Sequence, residues 1–516
     1  MYKLIPFPNS IQYGNLLLKV PKEIILSIDT DSLDLKAYIE SRLIQSFNLD
    51  VKFQKENEKA FLILEKDKSL EKNQYSLEIL NSRIKISGID NPSMFYGFQT
   101  LQQILYQSYN PESLEYILKE VTILDSPRFL WRGFMLDEAR YFLGKSVVKK
   151  VLDWMALLKL NKFHWHLTED QGWRIQIEKY PKLTEIGSKR NGTLVYRNRN
   201  KELDGKEHSG YYTKEDIKEI IEYAKARYID IIPEIEMPGH SVAALAAYPE
   251  LSCIESPFEV SNFWGVHKDV FCLGNPDTII FLKDILKEII DLFPYEYIHT
   301  GGDEVPKDRW SQCDKCQAKI KKEKINDEHG LQVKFTNEIV EFLSKKGKKT
   351  IVWNELTDER LDQRTVVQFW RGSFDSILGF LENGGSAIVS PSSHYYVDVA
   401  YHKTSLSKAY KYEPLPASLV SKIGKRILGI EAELWGEVFN SQEKMEYCAF
   451  PRVFAIAESA WTDPKNKNYQ RFLASVQYFE ELWNKLSINY TPLNNSEPSW
   501  FETFKQRFKK GFVHYL

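Results

Sequence analysis

The sequence predicts a (β/α)8 barrel preceded by a small α+β domain. Eight β-like runs alternate with helical stretches from Trp131 onward. This alternation requires parallel strands, because a parallel crossover needs a helix to return the chain. Eight such units match a closed barrel with insertions. A doubly wound open sheet is the alternative, but the Gly-rich turn that usually follows its first strand does not occur in the sequence.

Three parts are predicted: an α+β domain over residues 1–125, the barrel over 126–485 and a helical extension over 486–516. In the first part, the β-rich runs AFLILE, YSLEIL and RIKISGI accompany helical patterns at Leu33–Gln45 and Met94–Leu105. The sequence of this part contains no candidate nucleophile, metal-binding cluster or phosphate-binding loop, so we expect it to be non-catalytic. The extension is inferred from the amphipathic pattern of residues 499–516.

The barrel elements follow from the periodicity of apolar residues. The predicted strands lie at 131–140, 162–170, 230–239, 295–305, 348–355, 365–372, 386–398 and 426–437, and helices are predicted at Ser146–Leu160, Lys214–Arg227, Thr278–Leu292 and Leu331–Lys345. Each strand run begins with apolar residues and ends in charged, amide or aromatic ones. Because active sites of such barrels lie at the C-terminal ends of the strands, these endings should converge on one mouth.

Composition excludes several classes of protein. The 69 Lys and Arg residues nearly balance the 71 Asp and Glu residues, giving a net charge of −2. This balance argues against nucleic-acid binding and against a polybasic membrane anchor. No stretch approaches the roughly 18 apolar residues of a membrane span. The start, MYKLIPFPNS, has no apolar signal region, so we expect a cytoplasmic protein, or an exported one whose signal has been removed.

Aromatic residues make up 13% of the chain, which can reflect either a large core or a binding pocket. Trp353, Trp370 and Trp435 each fall at the end of a predicted strand. Loops there would favour Gly, Ser and Asn. We therefore interpret these three tryptophans as the wall of a pocket, with core packing as the alternative.

The cysteines do not form a disulfide pattern, because there are only five of them and they are sparse. Cys313 and Cys316 form a single CxxC motif. A zinc knuckle would need a second pair of ligands nearby, and the sequence does not place one there, so no metal is expected. Cys253 and Cys272 bracket a loop and could form a disulfide if the protein is exported.

The sharpest chemical motif is HTGGDEV, in which Asp303 and Glu304 are adjacent at the end of the fourth strand. Neighbouring strand residues point to opposite faces, so both acids reach one pocket only if the backbone is irregular, which Gly301 and Gly302 permit. Two carboxyl groups in one pocket favour division of labour between a protonated acid and an ionised stabiliser. The alternative is an acidic pair at a helix N-terminus.

The ordered motifs resemble those of the family 20 glycoside hydrolases, the β-N-acetylhexosaminidases. The resemblance covers about residues 120–460 and rests on RGFMLDEARYF, NKFHWHLTEDQGWR, PEIEMPGH, HTGGDEV, VWNE, QFW, YYVD and LWGE. The N-terminal part is similar to the non-catalytic domain that precedes the barrel in this family.

The resemblance implies a retaining, substrate-assisted mechanism, which is an exception to the usual pair of catalytic carboxylates. The 2-acetamido oxygen of the substrate would attack the anomeric carbon and form an oxazolinium intermediate. Glu304 would act as general acid and then base. Asp303 would accept the acetamide N–H and stabilise the developing positive charge, while Tyr396 would donate to the acetamide oxygen.

Further roles follow from the resemblance one residue at a time. Arg140 in DEAR and Glu437 in LWGE would hold the sugar 3- and 4-hydroxyls, and Asp398 in YYVD would lie near the 4- and 6-hydroxyls. The tryptophans that would wall the pocket are Trp353, Trp370 and Trp435.

The histidines require separate interpretation. His240 in EMPGH would lie beside the general acid, with Glu169 or Asp170 holding its other nitrogen and fixing its tautomer. The HWH motif contains His164 and His166 and is similar to the HxH of metal-dependent amidohydrolases, but it falls on the second strand and no later His pair follows. We interpret it as support for the pocket, with a metal-dependent hydrolase as an alternative.

The function expected from these motifs is removal of terminal β-linked GlcNAc or GalNAc from glycans, without a cofactor, by a monomer or homodimer. A related specificity is a second hypothesis: release of a disaccharide, as by a lacto-N-biosidase, or of 6-sulfated GlcNAc. Loops 188–212 and 254–270 would decide that. A third hypothesis is an inactive carbohydrate-binding protein, against which the joint presence of Asp303, Glu304 and Tyr396 argues.

Overall fold

The computed structural model describes residues 1–29, 32–55, 57–195, 202–358 and 360–498, and it confirms the expected fold class. The helix expected at 499–516 lies outside the described residues. Among the described residues, no helix combines the length and apolar character needed to cross a membrane.

The N-terminal part is a mixed sheet covered by two helices. Its strands are β1 (Ser10–Lys19), β2 (Glu23–Ile28), β3 (Asp50–Gln54), β4 (Leu62–Lys66), β5 (Tyr75–Ile79), β6 (Ile84–Gly88), β7 (Tyr109–Asn110) and β8 (Glu115–Asp125), in the order β1-β8-β5-β6-β4-β2-β3 with β7 paired to β8. Helices α1 (Leu33–Phe47) and α2 (Asn91–Ser108) each begin at a side-chain cap, from Ser32 and Asp90 respectively. Alternate residues of β5 are fully buried, as a sheet with one covered face requires.

The eight predicted barrel runs each contain a strand of one closed parallel barrel. The barrel strands are β9 (Trp131–Asp137), β10 (Lys162–His166), β15 (Asp230–Glu234), β16 (Tyr297–His299), β17 (Lys349–Trp353), β18 (Val366–Phe369), β19 (Ser386–Val389) and β20 (Ile427–Leu434), and β20 pairs with β9 to close it. Between β10 and β15 lie two short two-stranded sheets, formed by β11 (Thr168–Glu169) with β12 (Gly172–Trp173) and by β13 (Lys189–Arg190) with β14 (His208–Ser209).

Helices follow the strands and cover the outside of the barrel. They are α3 (Lys145–Leu157), α4 (Lys182–Glu185), α5 (Lys214–Lys225), α6 (Val242–Ala247), α7 (Pro276–Leu292), α8 (Asp308–Ser311), α9 (Asp314–Glu323), α10 (Glu328–Ser344), α11 (Asp375–Glu382), α12 (Leu406–Lys411), α13 (Val420–Ile423), α14 (Gln442–Ala449), α15 (Arg452–Trp461), α16 (Tyr469–Lys485) and α17 (Leu493–Ser496). The four predicted helices coincide with α3, α5, α7 and α10 to within a few residues at each end, the usual uncertainty of helix ends.

A buried polar cluster joins the N-terminal sheet to the barrel. Lys159 Nζ lies 3.1 Å from Asp125 Oδ2 and donates to the Tyr75 hydroxyl at 2.8 Å. Trp461 Nε1 donates to the same carboxylate at 2.9 Å. Since Lys159 and Asp125 are each 1% exposed, removing either partner would leave a buried charge without compensation. This cluster holds the sheet against the N-terminal side of the barrel, away from the strand ends that form the mouth.

Candidate active site

The acid pair follows a strand that ends early. Strand β16 stops at His299, and the backbone of Gly301, Gly302 and Glu304 then takes positive φ values of 62°, 93° and 48°. A Cβ atom on Gly301 would lie 1.8 Å from Glu236 Oε2, so this position requires glycine for space as well as for conformation. The irregular backbone expected from the two glycines is therefore present, and it frees the two acids from the alternation of a regular strand.

Asp303 lies in a largely buried position beside a histidine. Its Oδ2 is 3.7 Å from His240 Nε2, and its side chain is 14% exposed. The other nitrogen of that ring, Nδ1, is 2.5 Å from Glu169 Oε1 and 3.3 Å from Asp170 Oδ2. Burial raises the pKa of Asp303 to about 7; the attraction of His240 opposes this rise, and further carboxylates, Glu355 among them, add to it.

Glu304 is the more accessible acid, with a side chain 32% exposed. Its Oε1 lies 3.6 Å from Arg371 Nη1, and Arg371 Nη2 lies 3.2 Å from Glu355 Oε1. The Glu355 carboxylate also accepts the indole N–H of Trp370 at 3.1 and 3.2 Å. Burial raises the pKa of Glu355 despite these two donors. Arg371 thus connects the two glutamates at the rim of the mouth.

Arg140 is fixed by carboxylates from three parts of the barrel. Its guanidinium lies 3.0 Å from Asp137, 3.4 Å from Glu169 and 3.5 Å from Glu437, and it stacks 4.9 Å from the ring centre of Trp435. These contacts raise its pKa despite burial. The planar guanidinium is thereby held in one orientation at the pocket wall, which suits directional hydrogen bonding.

Aromatic rings form a continuous surface beside the acids. Trp370 stacks on Tyr396 with a centroid separation of 6.2 Å and an interplanar angle of 14°, and Tyr396 lies 5.9 Å from Trp435. Trp353 lies 5.8 Å from Trp435 and 6.5 Å from Trp370. Trp353 is only 1% exposed, and its indole N–H donates to Glu234 at 2.8 Å, so it packs beneath the surface that the other rings form.

Several buried polar atoms at this surface have no protein partner within the described ranges. They include Asp303 Oδ1, Asp398 Oδ1 and Trp435 Nε1. Burial raises the pKa of Asp398 to about 7, and nearby Glu437 contributes to the rise. Since buried polar groups in native proteins are normally hydrogen-bonded, these atoms are suited to a ligand that carries several hydroxyl or amide groups.

Beneath the mouth, the barrel interior contains a layer of ionisable side chains. His164 contacts Glu431 at 2.8 Å through Nδ1 and Glu234 at 2.9 Å through Nε2. His166 Nδ1 lies 3.2 Å from Asp137. Although burial opposes it, the two glutamates raise the pKa of His164 to about 10. The HWH motif therefore supports the pocket from below, each histidine being paired with carboxylates.

All twelve candidate residues from the sequence lie at or directly behind this mouth. Glu169 and Asp170 are 2% and 0% exposed, and Asp170 Oδ1 accepts the Val242 N–H at 2.9 Å, which suits them to holding His240 rather than to contacting a ligand. Sequence reasoning assigned no role to Glu355 or Arg371. The signal for Glu355 was its place as the last residue of the VWNE motif, and the signal for Arg371 was its place directly after QFW.

An acidic pair and an aromatic wall at the C-terminal mouth of a closed (β/α)8 barrel are the combination found in glycoside hydrolases of this fold. Residues 129–464 match the profile of the glycosyl hydrolase family 20 catalytic domain, and residues 1–126 match that of glycosyl hydrolase family 20, domain 2. The chain belongs to glycosyl hydrolase family 20.

Individual relatives agree with this assignment. A β-hexosaminidase of Porphyromonas gingivalis is 38% identical over 86% of this chain, and the chain spans only 58% of that relative's length. Among solved structures, an exo β-N-acetylglucosaminidase of Vibrio harveyi in complex with N-acetylglucosamine has a TM-score of 0.86 at 30% identity, covering 95% of this chain and 78% of that one. A β-N-acetylhexosaminidase of Bacteroides fragilis has a TM-score of 0.84 at 30% identity, covering 96% and 99%.

Proposed function

We propose that the protein is an exo-acting, retaining β-N-acetylhexosaminidase that removes terminal β-linked GlcNAc or GalNAc from glycans by substrate-assisted catalysis. The observation that carries this proposal is the difference between two adjacent acids. Asp303 is held in a buried position facing His240, whereas Glu304 is one-third exposed at the rim. Two acids in unlike environments suit two different roles.

In the proposed reaction, Glu304 protonates the glycosidic oxygen as the acetamide oxygen attacks the anomeric carbon. Asp303 accepts the acetamide N–H and stabilises the positive charge of the oxazolinium, a preorganised electrostatic effect. Tyr396 donates its hydroxyl proton to the acetamide oxygen as a hydrogen bond and so orients it for attack. Glu304 then removes a proton from water, which opens the intermediate with net retention.

The remaining pocket residues would bind the sugar. Arg140 and Glu437 are assigned to the 3- and 4-hydroxyls, and Asp398 to the region of the 4- and 6-hydroxyls. The ring surface of Trp370 and Trp435 offers an apolar face to the pyranose and its N-acetyl group. A pocket of this kind fits one terminal residue of a glycan, which supports an exo mode of action.

A cavity next to Glu437 is the place where a preference among glycans would arise. Its volume is about 290 Å³, and it is lined by Thr193 and Asp204 from loop 188–212, by Trp264 from loop 254–270, and by Lys444. Both loops that the sequence marked as deciding specificity therefore meet beside the proposed sugar site. Substituents on the sugar or a second sugar would contact this cavity in the alternative specificities.

The experiment that tests the proposal compares three p-nitrophenyl substrates carrying β-GlcNAc, β-GalNAc and β-glucose. We expect hydrolysis of the first two only, since glucose lacks the acetamide that acts as nucleophile. Glu304→Gln should lower kcat on these substrates by a factor of about 10² or more, the scale of lost general acid–base catalysis. An oxazoline-mimicking thiazoline should inhibit strongly. Comparable activity on the glucoside would contradict the substrate-assisted mechanism.

A second variant tests the role of Asp303 apart from that of Glu304. Asp303→Asn should slow the hydrolysis of both acetamido substrates while the protein retains its unfolding temperature. Wild-type protein that binds β-GlcNAc yet hydrolyses none of the substrates would instead support the inactive carbohydrate-binding protein. Hydrolysis of the glucoside together with the acetamido substrates, lost with EDTA and restored with zinc, would support the metal-dependent hydrolase, because that mechanism needs no acetamide.

A further inference from the structure

Four of the five cysteines meet at one point outside the pocket. Their Sγ atoms all lie within 4.8 Å of one another, and the separations are 3.8 Å for Cys253–Cys316 and 3.7 Å for both Cys272–Cys313 and Cys272–Cys316. All five cysteines are free thiols, and a disulfide would require sulfurs about 2 Å apart. The disulfide between Cys253 and Cys272 that the sequence left open is not present in this structure, and both cysteines lie beside the CxxC motif instead.

The separations match those of a tetrahedral metal site. Zinc binds thiolate sulfur at about 2.3 Å, so the edges of a tetrahedron of four sulfurs are about 3.8 Å long. Cys313 and Cys316 have the C-x2-C spacing of a ligand pair in structural zinc sites, and the other two cysteines come from a separate segment. No second ligand pair lies near the CxxC motif in the sequence, but the fold brings Cys253 and Cys272 beside it.

The surrounding backbone is shaped to hold the cluster. Cys313 is the N-cap of α9 and Cys316 lies in its first turn, where the helix N-terminus favours negative charge. The Gly274 N–H donates to Cys316 Sγ at 3.3 Å. A Cβ atom on Gly274 would lie 2.2 Å from the carbonyl carbon of Lys315, so only glycine lets the two ligand segments approach this closely.

We propose that Cys253, Cys272, Cys313 and Cys316 bind one structural Zn²⁺ ion as thiolates. Four protein ligands complete the coordination of zinc and leave no position for a reacting water. Backbone N–H donation to a sulfur, as from Gly274, is the kind of outer contact that orients a ligand. The ion is therefore a structural element, separate from the chemistry of the acid pair.

The position of the cluster gives the ion its role. Cys253 and Cys272 lie in the segment after β15, which also carries His240, whereas Cys313 and Cys316 follow the acid pair after β16. Within the first segment, the Phe271 N–H donates to the Pro238 carbonyl at 3.0 Å. The second segment is joined to the first by the Trp310 indole N–H, which donates to the Phe271 carbonyl at 2.9 Å. A bound ion would clamp together the loops that set the distance between His240 and Asp303.

The test measures metal content in full-length protein from zinc-supplemented cells, purified under reducing conditions. We expect about one zinc per chain, falling to below about 0.1 in Cys272→Ser, since a serine hydroxyl does not replace a thiolate ligand. Cys448→Ser is the matched control, because Cys448 is a half-buried thiol outside the cluster, and this variant should retain its zinc. Stoichiometric iron in place of zinc would overturn the assignment of the metal.

A second measurement on the wild type keeps the proposal testable if Cys272→Ser fails to fold. An organomercurial added stepwise should release one zinc to a chromogenic chelator as four thiols react, and the unfolding temperature should fall with the released zinc. Protein purified from cells grown with cobalt in place of zinc should show the absorption spectrum of a tetrahedral cobalt thiolate. The proposal is overturned if zinc-supplemented wild type contains no stoichiometric metal, or if peptide mapping finds the four cysteines in two disulfides.

Discussion

Replacement of His240 by asparagine should move the acidic limb of the pH–rate profile to higher pH. Asp303 must be ionised to accept the acetamide N–H, and its pKa of about 7 places the wild-type limb near neutrality. The protonated His240 lowers that pKa. Removing the cation therefore favours protonated Asp303. As the pH is lowered, activity should be lost at a higher pH than in the wild type. Asparagine is the chosen replacement because position 240 has a φ of 47°, which asparagine tolerates better than most residues.

The size of the effect follows from the distance between the charges. His240 Nε2 lies 3.7 Å from Asp303 Oδ2. Two unit charges at this distance interact by about 4 kcal/mol at an effective dielectric constant of about 20, equivalent to a change of about 3 in pKa. This value is an upper limit, because Glu169 lies 2.5 Å from the opposite ring nitrogen and cancels part of the field. We expect the limb to move upward by about one to two pH units.

The assay is kcat/KM for p-nitrophenyl β-GlcNAc from about pH 4 to pH 9, because this parameter reports the ionisation of the free enzyme. His329→Asn is the matched control, since His329 forms a surface pair with Asp358 at 3.0 Å and its replacement should leave the limb in place. A His240→Asn profile that falls uniformly with an unmoved limb would refute the electrostatic argument and leave only a positional role. A limb displaced to lower pH would contradict the sign of the interaction.

Three further predictions test the pocket wall, the glycine turn and the barrel interior. Arg140→Lys should raise KM for p-nitrophenyl β-GlcNAc by about tenfold or more, because an ammonium group cannot reproduce a forked guanidinium; an unchanged KM would contradict the assignment. Gly301→Ala should lower both the unfolding temperature and kcat, since its Cβ would lie 1.8 Å from Glu236 Oε2, whereas Gly379→Ala, where a Cβ in helix α11 meets nothing within 4 Å, should lower neither. His164 has a pKa of about 10 in the folded state against 6.5 ordinarily, so its stabilising contribution is complete below about pH 6.5 and is lost as pH rises through about 10. Denaturant unfolding over this range should show the free energy of unfolding of the wild type falling by a few kcal/mol more than that of His164→Gln.

The sequence was most informative where a single structural rule determines both where a residue lies in the fold and whether its side chain reaches solvent. A buried strand that ends in polar residues places those residues at the mouth of a parallel barrel whatever the details of packing. Gly301 and Gly302 similarly indicated the irregular backbone before Asp303 and Glu304. The alternation of β10 could also have been used further: His164 and His166 share one face of the strand and Trp165 the other, and Trp165 packs 4.6 Å from Tyr212.

What the sequence could not supply was the contact between neighbouring loops. Arg371 reaches Glu304 and Glu355 because three successive strand ends lie side by side and their loops turn toward each other. No local pattern encodes that orientation. It depends on how each loop packs against the next, and a long side chain such as arginine can take several directions from the same backbone position.

The cysteine cluster shows how adjacency in the fold can replace adjacency in the sequence. Cys272 and Cys313 are separated by 41 positions, so a search for nearby ligand pairs finds only the CxxC motif. Yet the segments that carry the two pairs follow β15 and β16, which are neighbours in the barrel. Segments that leave the same edge of adjacent parallel strands must run close together. Once the strands were assigned, the loops after the third and fourth strands could therefore have been searched as one unit, and the four thiols would have met the ligand count of a structural zinc site.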